Sequence, residues 1–148
     1  MKLPRRALIA SAVVAGAAAA TRGQGVEDKP FADHKLALQL SDWTDAARGL
    51  IVSVPNNLLA VYGPDSIAIE VVTFAQGVRL LYAGAAERSH VDSLVSQGVR
   101  FSVCMNTIDT IARQTGRAPD LNPHAIKVVA GVARLLELSA AKYTIVRP

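Results

Sequence analysis

The chain has 148 residues, 51% of them apolar and 5% aromatic, with 16 Lys plus Arg against 12 Asp plus Glu. That length suits one domain with an ordinary hydrophobic core. The basic residues form no cluster and few aromatics are available for stacking, so the composition argues against a nucleic-acid partner.

Residues 1–20 have the layout of a secretory signal. Met1 to Arg6 carries Lys2, Arg5 and Arg6, and Ala7 to Ala20 carries no charge. Ala18, Ala19 and Ala20 offer a small-residue cleavage site. The apolar run is 14 residues, short of the about 20 that a spanning helix needs, so no stable membrane span is expected. Arg5-Arg6 also fits a twin-arginine signal, which leaves the export route open between that and ordinary secretion. Export would place the mature protein in the periplasm. Loss of residues 1–20 removes three basic residues and no acid, so 13 basic residues then face 12 acidic ones. The high pI is largely a property of the leader. The single cysteine, Cys104, excludes an intramolecular disulfide.

Residues 21–33 are polar, with Gly23, Gly25 and Pro30, and read as a linker before a domain at 34–148. His34 to Leu40 alternates with period two and predicts the first strand. Ser41-Asp42 follows as a turn or helix cap. Thr44 to Tyr62 has helical spacing, with Ala47, Leu50, Ile51, Val54, Leu58, Leu59 and Val61 available to a buried face. Pro55 either kinks that helix or opens a second one, because proline removes a hydrogen bond inside a helix but suits its first turn. After the turn Gly63 to Ser66, the β-branched run Ile67 to Phe74 predicts the second strand. Ala75-Gln76-Gly77 turns the chain, and Val78 to Tyr82 begins a short helix.

Glu87 to Gln97 predicts an amphipathic helix closed by Gly98. Val99 to Val103 is the third strand, and Asn106 to Gln114 the next helix, with Asn106 or Thr107 as its cap. Arg117 to His124 is a loop, Ile126 to Val129 a fourth strand, Gly131 to Lys142 a helix with Val132, Leu135, Leu136 and Leu138, and Tyr143 to Arg147 a last strand. Strands alternating with helices of this length predict an α/β doubly wound fold around a parallel sheet covered on both faces.

Ligands of such folds bind beyond the carboxyl ends of the strands. Those ends supply Ser41 and Asp42, then Gln76 and Gly77, then Cys104, Met105, Asn106 and Thr107. Cys104 sits where a strand becomes a helix, and a helix N-terminus stabilises a thiolate through its amides and dipole. The alternative is a small buried apolar residue between Val103 and Met105. Asp42 and Asn106 serve as ligand contacts or as helix caps, and Gly77 as a close-approach position or a turn. His34, His90 and His124 are dispersed without metal-ligand spacing, so no metal site is expected. No phosphate-binding loop or nucleophile elbow occurs, and no cofactor is indicated.

The mature chain resembles the DsrE/DsrF-like family of small α/β sulfur-relay proteins, in its exported branch. The matching segments are Leu36 to Asp42; Asn57-Leu58; Ile69 to Val72 with Gly77 to Leu81; Gln97 to Phe101 leading into Cys104 to Thr107; Gly131; and Tyr143 with Ile145 to Pro148. Met105 stands where this branch commonly has glycine, and Ala75 where a first glycine is often found. The resemblance implies a five-stranded, flavodoxin-like sheet and homo-oligomers, trimers or hexamers. It also implies sulfur handling, with Cys104 holding sulfane sulfur as a persulfide between a donor and an acceptor protein. Against it stands a non-enzymatic ligand- or partner-binding protein in which Cys104 only packs.

Overall fold

The computed structural model describes residues 29–148. The expected leader, and residues 21–28 of the expected linker, lie outside the described residues. The described chain forms a five-stranded, all-parallel sheet flanked by four α-helices, an α/β doubly wound fold. In chain order the elements are β1 (His34–Leu40), α1 (Asp45–Tyr62), β2 (Ile67–Thr73), a 3-10 helix (Ala75–Leu81), α2 (Arg88–Ser96), β3 (Arg100–Cys104), α3 (Met105–Thr115), β4 (Ile126–Val128), α4 (Gly131–Ala140) and β5 (Thr144–Val146).

The sheet order is β4-β3-β2-β1-β5. From β1 to β4 each crossover steps one strand in the same direction, so right-handed connections place α1, α2 and α3 on one face. The last crossover reverses and carries α4 across the other face, where it packs on β1, β2, β3 and β5. The two faces differ in their cores. The α1–α3 side is built from Leu38, Leu40, Ile51, Ile69, Val71, Leu80, Phe101, Val103 and their neighbours. Small residues, Ala32, Ala37 and Ala68, form much of the α4 side, with Val72, Leu135, Leu138 and Tyr143.

Local chemistry explains the boundaries. Thr44, not Ser41 or Asp42, caps α1: its hydroxyl accepts from the Ala47 N–H at 3.1 Å. Ala47, Ile51, Pro55 and Leu59 then recur at i+4 and make the buried stripe. The helix is continuous through Pro55, so the two-helix alternative falls away. Leu50 and Val61, offered by the sequence to the core, are 43% and 71% exposed. The cap of α3 is Cys104 and not Asn106 or Thr107. On α4 only Leu135 and Leu138 of the four predicted apolar residues face inward; Val132 and Leu136 point outward, and Arg134 is buried instead.

That arginine answers a carboxylate in the middle of the sheet. Glu70 on β2 is fully buried on the α4 face. Arg134 grips it bidentately, Nε to Oε1 at 2.7 Å and Nη2 to Oε2 at 2.9 Å. The Ser102 hydroxyl donates to Oε1 at 2.5 Å, and Arg100 Nε lies 3.3 Å from Oε2. The bond from Glu70 raises the pKa of Arg134 above the ordinary arginine value. Among the described residues no helix is long and apolar enough to cross a membrane.

Candidate functional site

Because β3, β2 and β1 are neighbours, their carboxyl ends lie side by side, and the candidate residues from all three gather at one end of the sheet. A cleft of about 850 Å³ opens there between the 3-10 helix, α3 and residues 117–120. Gln76, Arg79, Tyr82, Thr107, Thr110 and Gln114 supply much of its polar wall; Val78, Ile111 and Pro119 are apolar. A second lobe of about 470 Å³ shares Arg79, Tyr82, Pro119 and Asp120 and reaches Trp43, in the loop after β1. Each lobe alone is of the size that small-molecule sites take.

The floor of the cleft is set by backbone. Ala75 holds φ 49°, a left-handed conformation costly for a residue with a Cβ. Its N–H donates to the Thr107 hydroxyl at 3.2 Å, tying the end of β2 to the first turn of α3. Gly77 is buried, and a Cβ there would come closer than 3.0 Å to the Leu40 carbonyl and to Leu40 Cγ. Its role is close packing beneath the cleft, and it does not line it.

The outer wall is a loop held in place at several points. Tyr82 pairs with Leu121 in an isolated bridge, the Ala83 N–H donates to the Asp120 carbonyl at 2.8 Å, and the Asn122 N–H donates to the Leu81 carbonyl at 2.8 Å. The Asn122 side chain, 2% exposed, donates to Asp92 Oδ1 on α2 at 2.8 Å. That bond, with Arg88 beside it, holds the Asp92 carboxyl below its ordinary pKa. A wall tied to the fold in this way is largely pre-formed.

Gln76 and Thr107 therefore share the cleft, whereas Cys104, Asp42 and Asn106 are placed elsewhere. Asp42 forms an ion pair with Arg147. Asn106 is exposed, and its N–H donates to the Val129 carbonyl at 3.1 Å. Cys104 is 6% exposed. Along β3, Phe101 and Val103 enter the larger core, so Ser102 and Cys104 point to the α4 face, opposite the cleft. The thiol donates toward the same Val129 carbonyl, with Sγ to oxygen at 4.0 Å. It makes no capping bond to an α3 amide.

Sequence reasoning overlooked Arg79, Tyr82, Trp43 and Gln114. None lies in a recognisable motif; the crossing of the 3-10 helix with α3 brings Arg79, Tyr82 and Gln114 together, and the loop after β1 adds Trp43 to the second lobe. The signal it could have used for the buried ion network was Glu70, one carboxylate in a strand otherwise made of Ile, Ala, Val and Thr. Among the described residues no cluster of metal-binding side chains occurs.

No protein-family model matches the chain, and no curated protein does. The chain is similar to a solved structure from Methanobacterium thermoautotrophicum, described as a protein of unknown function. The two share 28% sequence identity with a TM-score of 0.69, over 78% of this chain and 100% of the other. That likeness agrees with the α/β architecture.

Proposed function

We propose that the protein binds a small molecule in the strand-end cleft and that Cys104 is a packing residue of the α4 face. The separation of the thiol from the cleft carries this reading. Persulfide relay requires a donor and then an acceptor to approach the sulfur in turn. A residue 6% exposed, with its thiol facing the Val129 carbonyl across from the cleft, gives neither partner open access. Iodoacetamide labelling tests this directly. In the folded protein Cys104 should react at least ~100-fold more slowly than in denaturant, the factor that a local opening of about 3 kcal/mol imposes. Fast labelling, with an added sulfur mass on the isolated protein, would overturn it.

Sulfur relay is the second reading. Besides the DsrE/DsrF resemblance, one feature favours it: Cys104 occupies the N-cap of α3, beside the positive end of the helix dipole. It requires that Cys104→Ser abolish transfer to an acceptor thiol, and retention of transfer would remove it. Export to the periplasm and homo-oligomerisation are proposals that go with the resemblance. The outward Val129, Val132 and Leu136, 79%, 56% and 69% exposed, support contact with a second copy. Light scattering that found only monomer across the micromolar range would count against such assembly.

A further inference from the structure

Resting on the cleft-binding reading, we infer that the ligand is an anion carried on a planar ring, a carboxylate or phosphate held by Arg79 with its ring against Tyr82 and Trp43. Two observations carry this: the charge left over in the cleft and the character of its unused polar groups.

The charge comes first. Among the described residues the only carboxylate lining either lobe is Asp120, and it is already paired with Arg117 at 3.1 Å. Arg79 lies in the wall common to both lobes and makes no side-chain hydrogen bond or ion pair among the described residues. The uncompensated charge that the described residues bring to the cleft is therefore one guanidinium. Its flat fork of donors matches a carboxylate or a phosphate oxygen pair.

The polar groups agree. The side chains of Gln76, Gln114, Tyr82 and Trp43 likewise hold no hydrogen bond among the described residues. Arg79 and the Trp43 indole can only donate, while the two amides and the phenol can do both. A ligand rich in acceptor oxygens satisfies more of this set than one rich in donors. Arg48 already lies over the Trp43 ring, 5.1 Å from its centroid, so Tyr82 and the other Trp43 face, with Val78, Ile111 and Pro119, supply the apolar area that a ring would cover.

Trp43 is the only tryptophan in the chain, so its fluorescence reports the second lobe without labelling. The folded protein is titrated with 4-hydroxybenzoate and its neutral counterpart 4-hydroxybenzamide, and with adenosine monophosphate and adenosine. Shifts of the Gln76 and Gln114 side-chain amides in NMR spectra locate the binding. One of the acids should bind at least about tenfold more tightly than its neutral counterpart, the worth of one charge-assisted contact. That preference should weaken with salt. It should vanish in Arg79→Gln, return in part in Arg79→Lys, and persist in Arg117→Gln. Which acid shows it separates a carboxylate from a phosphate.

Equal binding of acid and neutral counterpart would overturn the anion assignment while leaving the cleft reading in place. An acid preference that survives Arg79→Gln would overturn the role of Arg79. If no probe moves the Trp43 signal or the two amides, both the ligand class and the cleft reading fall.

Discussion

Glu70 is the residue on which burial and charge meet most sharply. Its carboxylate has no solvent contact, and Arg134, 3% exposed, has little more. A buried ion pair gives small net stability against an apolar pair of the same volume, but removing one partner strands the other. Glu70→Gln should therefore lower the free energy of unfolding by about 3–5 kcal/mol, read from the denaturant midpoint. Because Arg100 also faces Glu70, the triple variant Glu70→Leu with Arg134→Met and Arg100→Met should lose distinctly less than Glu70→Gln alone. A loss equal to or greater than that of the single variant would show that the pair contributes net stability.

Asp92 is the other residue with a definite prediction, and its sign follows from its lowered pKa. The folded-state pKa lies below the ordinary 3.8, first through the Asn122 amide and then through Arg88. The stability it contributes is fully present above 3.8 and is lost as pH falls through the lower folded value. Asp92→Asn should thus trail the wild type by a constant margin at neutral pH, and the two should converge below pH 3.8. Unfolding midpoints measured across that range check it. A margin unchanged at acid pH would assign the Asp92–Asn122 contact to shape and not to charge.

Among the elements, two glycines make opposite predictions. Gly49 lies on the exposed side of α1, and a Cβ there meets nothing within 4 Å. Gly49→Ala should stabilise by about 0.5–1 kcal/mol through helix propensity and lost backbone freedom in the unfolded chain. Gly77 in the 3-10 helix lies against the Leu40 backbone, so Gly77→Ala must displace β1 or the helix. It should cost about 2 kcal/mol or more. Thermal unfolding of the two variants decides both.

The elements also show how far the sequence could be read. The β1 span, His34 to Leu40, was legible to the residue because its alternation is clean and Ser41-Asp42 ends it. The existence and chain order of the other described strands and helices were legible from β-branched runs such as Ile67 to Thr73 and from apolar residues at helical spacing. Cap identity was not. Thr44 competes with Ser41 and Asp42, and Cys104 with Asn106 and Thr107, and choosing among neighbours needs the angle at which the chain leaves its strand. Nor was the inward side of α4, because Val132 and Leu136 satisfy helical periodicity as well as Leu135 and Leu138 do. The sheet's demand for a counter-ion to Glu70 turns Arg134 inward and leaves Leu136 outside. For the candidate site, strand-end logic pointed to Gln76 and Thr107, which line the cleft. It grouped Cys104 with them because strand position does not reveal parity: one residue's shift along β3 changes the face.

For the molecule as a whole, the two faces should open separately. Among the described residues three α-helices cover one, and a single ten-residue helix covers the other over a core rich in alanine. The outer strands β4 and β5 have three residues each, against seven in β1 and β2. Amide hydrogen exchange should therefore be slowest in β1, β2 and β3 and distinctly faster in α4 and β5. Equal protection throughout would mean that the Glu70–Arg134 grip couples α4 to global unfolding.

The position of β5 also bears on how the molecule is made. β1 is an interior strand only because Thr144, Ile145 and Val146 pair with Leu36, Ala37 and Leu38. During synthesis β5 leaves the ribosome after the other four strands of this sheet. Until then β1 presents an open row of amides and carbonyls beside apolar side chains, a template for a neighbouring nascent chain. A stop codon between the end of α4 at Ala140 and Thr144 would release molecules with that edge still open and every other described element present. The final strand works as a seal, and a late truncation should cost more in soluble yield than its few residues of buried area suggest.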